Sequence, residues 1–478
     1  MEIKLDEWII GADIQSMQQA METGATNSVE LVKQYLSRIE RYDAQIRAVL
    51  EINPDALVIA AALDSERQGS GSRGPLHGIP ILIKDNIDTA DRMHTSAGSI
   101  ALANSRAAAD AFVAAKLREA GAVLLGKTNM TEWANFMSSG MPSGYSSRGG
   151  QTVNPYGPFE VGGSSSGSGA AIAAGFAVAA IGTETSGSIV NPAHHNSLVG
   201  LKPTVGLLSR AGIIPISHSQ DTPGPMTRHV ADAAILLGAL TGIDEQDSFT
   251  MASEGRSYRD YTPFLKADGL RGARIGVVRG YFAGLHEEVR EAAERALAVL
   301  REQGAELVDP VVLPCEGTEW NYEVLRHEFK KDLNDYLEKL DAVVPIHSLH
   351  DLIMYNNEHP EAALKYGQSI LTWSEETSGT LTEELYLDSF QRYRELTRAQ
   401  GIDYALRAYQ LDALFFPGDE GYDLAARAGY PLINVPAGYT SQGPTGITLS
   451  AGAFSEPVLL RLAYSFEQAT RYRVPPVL

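Results

Sequence analysis

Residues 138–169 are so dense in Gly, Ser and Pro that no strand or helix period survives in them, yet an apolar, Ala/Gly-rich run at 169–181 follows at once. A stretch of this length without its own structure is uncommon inside a compact protein and is usually a functional loop, so a site is expected to gather around it. The apolar run that follows, about 13 residues, is shorter than the roughly 20 needed to cross a bilayer as a helix. It reads as a buried helix leading into a strand.

On both sides of this loop strand and helix patterns alternate. Asn27 and Glu30 are spaced as a capping pair ahead of Leu31, Val32, Tyr35, Leu36, Ile39 and Tyr42, which recur on one helical face. A second helix is predicted over 55–68. After a Gly/Ser break at 69–74, the short Ile-rich run at 79–83 predicts a buried strand that ends on Lys84. A helix over 107–120 precedes a strand over 122–125. Further strands are predicted at 273–278, 411–416, 432–435 and 446–450, with helices at 286–303 and 456–472. This alternation predicts an α/β protein, a layered α/β/α fold around a mixed sheet. Residues 317–410 show helical stretches around 319–340 and 383–409 and no clear strand; they are read as a helical elaboration on the substrate side. No 20–50-residue repeat and no Pro-rich linker divides the 478 residues, so 1–478 is expected to form one domain. Within it, 1–70 supplies N-terminal helices and 75–240 the core.

Bulk composition removes several function classes. Apolar residues at 44% and charged residues at 21% are ordinary for a globular protein, which excludes disordered, collagen-like and coiled-coil readings. A net charge of −20 repels phosphate backbones and anionic membrane surfaces, so neither nucleic acid nor membrane is an expected partner. The single cysteine, Cys315, cannot form an internal disulfide, and the opening residues carry acids where a signal peptide needs a basic run. The expected location is cytoplasmic, with the protein acting as a monomer or homodimer on a small-molecule or peptide substrate.

Three segments concentrate the chemistry: Gly78-Ile79-Pro80-Ile81-Leu82-Ile83-Lys84-Asp85, Gly162-Gly163-Ser164-Ser165-Ser166-Gly167-Ser168-Gly169 and Gly182-Thr183-Glu184-Thr185-Ser186-Gly187-Ser188-Ile189. Each combines glycines, which let a backbone approach a ligand closely, with hydroxyls or a lysine. Successive amides in such turns form the concave anion-binding surface that an oxyanion hole requires. A serine is a weak nucleophile until a base takes its proton, and no histidine stands at an obvious motif spacing. A lysine can serve if burial lowers its pKa by roughly 3 units from about 10.4. Lys84, closing an apolar strand, has such a setting.

These segments resemble the amidase signature family, whose fingerprint is a G-I-P-x-x-x-K-D strand, a GGSSGGS loop and a GTDxGGSIRxPA loop, here in the same order. Gly126-Lys127-Thr128-Asn129-Met130, Gly200-Leu201-Lys202-Pro203-Thr204 and Asp221-Thr222-Pro223-Gly224-Pro225-Met226 extend the resemblance. The segments at 135–150, 327–330 and 428–431 resemble the peptide-amidase-like branch, which removes C-terminal amide groups from peptides or acts on small amides. The resemblance implies a three-layer fold around a large mixed, mostly parallel sheet. It implies Ser188 as nucleophile, Ser164 as proton relay and Lys84 as base, since the family's two serines lie 24 residues apart and Ser164 and Ser188 keep that offset. It further implies a cis peptide before Ser164, an oxyanion hole from the backbone N–H groups of Thr185, Ser186, Gly187 and Ser188, and no metal or organic cofactor. Met137, Ser138 and Ser139 are candidate contacts to the substrate's acyl side. Asp85 and Asp221 are candidates for orienting the loops.

Three departures from the fingerprint stand out: Ser166 and Ser186 for glycines, and Val190 where many members carry Arg. The lost Arg is expected to turn the substrate from anions towards neutral amides. Two rival readings remain. Gly163-Ser164-Ser165-Ser166-Gly167 matches G-x-S-x-G, which would make Ser165 the nucleophile of an α/β-hydrolase esterase; a Pro-rich loop rather than a strand precedes it. The other is a non-hydrolytic amidotransferase-type subunit, disfavoured by the acidic charge. The pair His194-His195 suggests metal only weakly, because adjacent residues project differently.

Overall fold

The strands that carry the molecule are short, apolar and mostly Ile, Val, Leu and Ala, which is what a strand covered on both faces requires. The computed structural model describes residues 4–478; residues 1–3 of the expected N-terminal helical region lie outside the described residues. The strands are β1 (Val49–Ile52), β2 (Pro80–Lys84), β3 (Val123–Thr128), β4 (Tyr145–Ser146), β5 (Gly150–Gln151), β6 (Ala179–Glu184), β7 (Val199–Lys202), β8 (Thr222–Thr227), β9 (Arg274–Val277), β10 (Glu306–Val308), β11 (Ala413–Pro417), β12 (Leu432–Thr440) and β13 (Gly443–Ser450).

Eleven of them form one sheet in the order β1-β3-β2-β6-β8-β7-β12-β13-β11-β9-β10, and β4 and β5 pair separately within the Gly/Ser-rich loop. The sheet is mixed, as expected. Its parallel pairs sit in two blocks, β3-β2-β6 and β11-β9-β10. The centre between them is antiparallel, so parallel pairing is less extensive than the resemblance implies. Chain connection explains the difference: β12 and β13 are joined through Ser441 and Gln442 alone, a two-residue hairpin that can only be antiparallel. Flanking helices at Ser28–Ile46, Ala56–Ser70, Phe112–Glu119, Val230–Leu240, Glu287–Glu302 and Glu456–Thr470 bury one stripe each in the main core against the sheet.

The apolar run after the Gly/Ser-rich loop folds as read, with helix Ser166–Ala173 leading into β6. Residues 317–410 contain the expected helical stretches as Glu323–Leu337 and Glu384–Thr397. Between them lie three shorter helices, Leu349–Glu358, Pro360–Ala363 and Ser369–Glu375, that the pattern did not predict. Phe329, Leu333 and Leu337 of the first pack with Met130, Trp133 and Met137 in a second apolar cluster. The elaboration is thereby pinned over the loop that follows β3. Among the described residues no helix is long and apolar enough to cross a membrane.

At the first long helix, Asn27 takes the N-cap, its Oδ1 accepting from Glu30 N–H at 2.9 Å. The reciprocal half of the capping pair is not made, because the Glu30 carboxylate accepts from Lys33 Nζ instead. Asn27→Ala is expected to lower the unfolding free energy by about 1 kcal/mol, read as a shift of the urea midpoint at unchanged m value.

Candidate active site

Lys84 is the last residue of β2, completely buried between β3 and β6. Its Nζ lies 2.8 Å from Ser164 Oγ, 2.9 Å from Thr183 Oγ1 and 3.2 Å from Thr183 O. Asn86 Nδ2 donates to the same Thr183 hydroxyl at 3.0 Å and fixes it. Burial pushes the Lys84 amine down to about 7, against the opposing negative fields of Asp221 and Glu184. A neutral amine has two N–H donors and one lone pair. Thr183 takes the two donors, which leaves the lone pair for the Ser164 hydroxyl.

Lys127 and Lys202 are as deeply buried, but their amines are held differently. Lys127 Nζ donates to Ile87 O and to Thr95 Oγ1, and Lys202 Nζ to Tyr430 O and Pro203 O. Of the three, Lys84 is the one that meets a serine hydroxyl.

The Gly163–Ser164 peptide is cis. Ser164 is fully buried, whereas Ser188 keeps 5% exposure and opens onto a cleft of about 560 Å³. Neighbouring backbones are joined by Ser165 N–H, which donates to Ser188 O at 3.2 Å. Ser165 itself is sealed in: its hydroxyl donates to Thr183 O at 3.1 Å and accepts from Thr183 N–H at 3.3 Å. A hydroxyl spent on a backbone pair and shut from the cleft is a poor nucleophile, which counts against the esterase reading.

The turn from Thr185 to Ser188 is shaped by a carboxylate that the sequence reading did not single out. Glu184, at the end of β6, accepts from Gly187 N–H at 2.9 Å, Ile189 N–H at 2.7 Å and Val190 N–H at 3.0 Å. The N–H of Gly187 is therefore already used, a correction to the four expected oxyanion donors. Those of Thr185, Ser186 and Ser188 have no protein acceptor among the described residues. Gly187 sits at φ 88°, where a Cβ would also lie 3.1 Å from the Tyr422 ring, so glycine is required. Thr185 donates its hydroxyl to Asp221, whose other oxygen accepts from Ile216 and Ser217 N–H at 2.8 and 2.9 Å. Ser186 donates its hydroxyl to Asp423 at 2.9 Å. Asp85 accepts from Ser96 and from Gly98 N–H, holding the loop after β2. Both aspartates thus orient loops.

Other expectations need correction. The left-handed turn through Trp133, Ala134 and Asn135 sends Ser139 to the cleft but Met137 into the second apolar cluster. Ser138 is tied to Tyr366 O at 2.8 Å and is likewise absent from the cleft lining. Val190 does not face the cleft: it is buried with Val278, Phe416, Leu424 and Leu432. His194 is a satisfied core histidine whose Nδ1 accepts from Gly446 N–H at 3.0 Å. Much of the cleft wall comes from residues not named as candidate site residues: Phe136, Tyr322, Leu325, Trp373, Tyr422 and Asp423. Tyr322, Leu325 and Trp373 belong to the elaboration at 317–410 that was read as lying on the substrate side.

A lysine-backed serine pair beside a donor-lined turn, set on this sheet, defines a class of serine hydrolases, and sequence comparison agrees on which. The chain belongs to the amidase family, whose model, described as Amidase, matches residues 30–420. It is similar to a probable amidase of Arabidopsis thaliana, at 41% identity over 97% of this chain and 91% of that one. Its fold resembles the native peptide amidase from Stenotrophomonas maltophilia, with a TM-score of 0.91 and 46% identity over 98% of both chains. An amidase family protein from Bacillus anthracis str. Ames superposes with a TM-score of 0.94 at 40% identity, over 99% of this chain and 94% of that one. The protein is an amide hydrolase of the peptide-amidase-like branch.

Because Glu184 holds three turn amides at once, Glu184→Gln replaces one acceptor oxygen by an NH₂ that opposes the amides it faces. The expected result is a fall in kcat of roughly 10²-fold, as for a lost oxyanion donor, with KM nearly unchanged; steady-state kinetics on any accepted amide would expose a KM-only effect.

Proposed function

We propose that the protein hydrolyses neutral carboxamides, with C-terminal peptide amides as the substrate class, through an acyl-enzyme on Ser188. The observation that carries this reading is the buried Lys84–Ser164 contact of 2.8 Å beside the Ser188 segment, which lines the cleft. Ser188 Oγ attacks the carbonyl carbon, its proton passes to Ser164 Oγ, and the Ser164 proton passes to the Lys84 lone pair. The negative charge that develops on the carbonyl oxygen is met by N–H groups of Thr185, Ser186 and Ser188. Collapse breaks the C–N bond, and the relay returns the proton to the departing nitrogen, which leaves as ammonia from a primary amide. Water, deprotonated through the same relay, then attacks the acyl ester and releases the carboxylic acid.

The substrate class is supported by the cleft and by similarity to a peptide amidase. Aromatic and aliphatic walls at Phe136, Tyr322, Leu325, Trp373 and Tyr422 suit an apolar chain beside the amide. The one charged residue lining the cleft, Asp423, is neutralised by Arg427 at 2.7 Å. We further propose one functional domain working in the cytoplasm; the single buried Cys315 and the unbroken sheet support it.

Ser188→Ala is expected to lower kcat by at least about 10³-fold with the fold intact, and Ser165→Ala to stay within tenfold of wild type; the reverse pattern would overturn the assignment. A panel of amidated peptides, aryl amides and esters should show the highest kcat/KM for peptide amides with an apolar residue next to the amide, and preference for anionic substrates would reject the class. The base must be neutral, and its amine lies near 7. The neutral fraction therefore grows with pH, and kcat/KM should rise about tenfold between pH 6 and pH 8 before levelling. Lys84→Ala should remove both the activity and this rise.

A further inference from the structure

A second cleft of about 420 Å³ shares a wall with the substrate cleft. Two of its lining residues reach across that wall: Gln220 Nε2 donates to Thr185 O at 3.3 Å, and Arg427 Nη1 to Asp423 Oδ1 at 2.7 Å. The lining includes Arg256, Arg394, Arg398 and Arg427 and no aspartate or glutamate. In a chain of net charge −20, an acid-free cleft with four guanidinium groups runs against the average surface.

Three of these arginines are uncompensated. Arg256, Arg394 and Arg398 form no ion pair among the described residues, and Arg398 spends its Nε on Ala428 O at 2.8 Å. Each is instead stacked: Arg256 over Phe454 at 5.2 Å, Arg394 over Phe390 at 5.3 Å and Arg398 over Tyr430 at 5.3 Å. Stacking fixes a guanidinium in place while leaving its in-plane N–H donors free. Burial, reinforced by the Arg394 charge, pushes Arg398 below its ordinary value, with Tyr430 and Asp403 opposing.

Fixed, forked donors against flat aromatic walls fit a planar or tetrahedral oxyanion carried on a small apolar body. We propose that this cleft binds a small organic anion, a carboxylate or a phosphate ester, at a place separate from the substrate cleft. The proposal does not depend on which serine is the nucleophile, since it is read by binding alone.

Isothermal titration of the full chain with inorganic phosphate and, separately, with benzoate, each against chloride at matched ionic strength, tests it. Saturable binding of at least one anion is expected, weakened at least about tenfold in the Arg256→Ala/Arg394→Ala variant. Both side chains are exposed and outside the catalytic machinery, so kcat/KM without added anion should be unchanged in that variant. Preference for phosphate would assign a phosphate ester, and preference for benzoate a carboxylate. No saturable binding beyond chloride, or equal affinities in wild type and variant, would overturn the site.

Discussion

Everything at the site depends on an amine buried at the end of a strand. A lysine so buried is costly in its charged form, and the cost shows as an amine brought down to about 7. What makes the burial tolerable is a set of three oxygens in reach, two from Thr183 and one from Ser164. Thr183 lies on β6, and β6 runs parallel beside β2, with Ile83 opposite Ile181. The same parallel block therefore builds the core and places the proposed base against its relay. In a different register Thr183 would no longer face Lys84, and the amine would be left either unsatisfied or charged.

The turn that follows β6 is held by carboxylates on three sides: Glu184 takes three of its amides, Asp221 the Thr185 hydroxyl and Asp423 the Ser186 hydroxyl. Acids around a surface meant to receive negative charge are electrostatically unfavourable, so their use here is geometric. The opposing charges are tempered locally. Burial raises Glu184 towards its neutral form while Lys202 and the three amides resist, and burial raises Asp221 to about 6. Arg427 neutralises Asp423. The turn is kept rigid by groups whose fields are partly cancelled before a substrate arrives.

How much of this the sequence disclosed follows from range. Strand runs such as Ile81-Leu82-Ile83 announce themselves because burial on both faces leaves only apolar residues, and the helix after the Gly/Ser loop is legible for the same reason. Strand pairing was not legible, since β7 is only Val-Gly-Leu-Lys and β8, built of Thr, Pro, Gly and Met, carries no strand pattern. At the site, the motifs and the resemblance led to Lys84, Ser164 and Ser188; the structure sets Lys84 against Ser164 and joins the two serine segments through Ser165 N–H, and of the three only Ser188 lines the cleft. Glu184 escaped notice because its role is to accept three backbone amides, which leaves no side-chain pattern. Met137 was misplaced because its direction is set by the left-handed residues before it, a conformation that Trp133 and Ala134 do not advertise.

Val190 carried an expectation about the substrate that its own side chain cannot serve. Read as a missing arginine, it argued for a neutral substrate, yet its side chain is buried in an apolar cluster and never meets the cleft. The proposed preference for neutral amides rests instead on Asp423, which stands in the cleft wall already paired with Arg427 and bonded to Ser186. That pairing uses the one arginine of the neighbouring acid-free cleft that reaches across the wall. Arg427 is stacked near Trp320 at 5.0 Å and is itself almost fully buried, so it cannot swing away to meet a charged substrate without stranding Asp423. Positive charge therefore stays on one side of the wall and the apolar chain on the other. In the proposed reading, the partition between the two clefts, rather than any single substitution beside Ser188, sets the character of what enters the site.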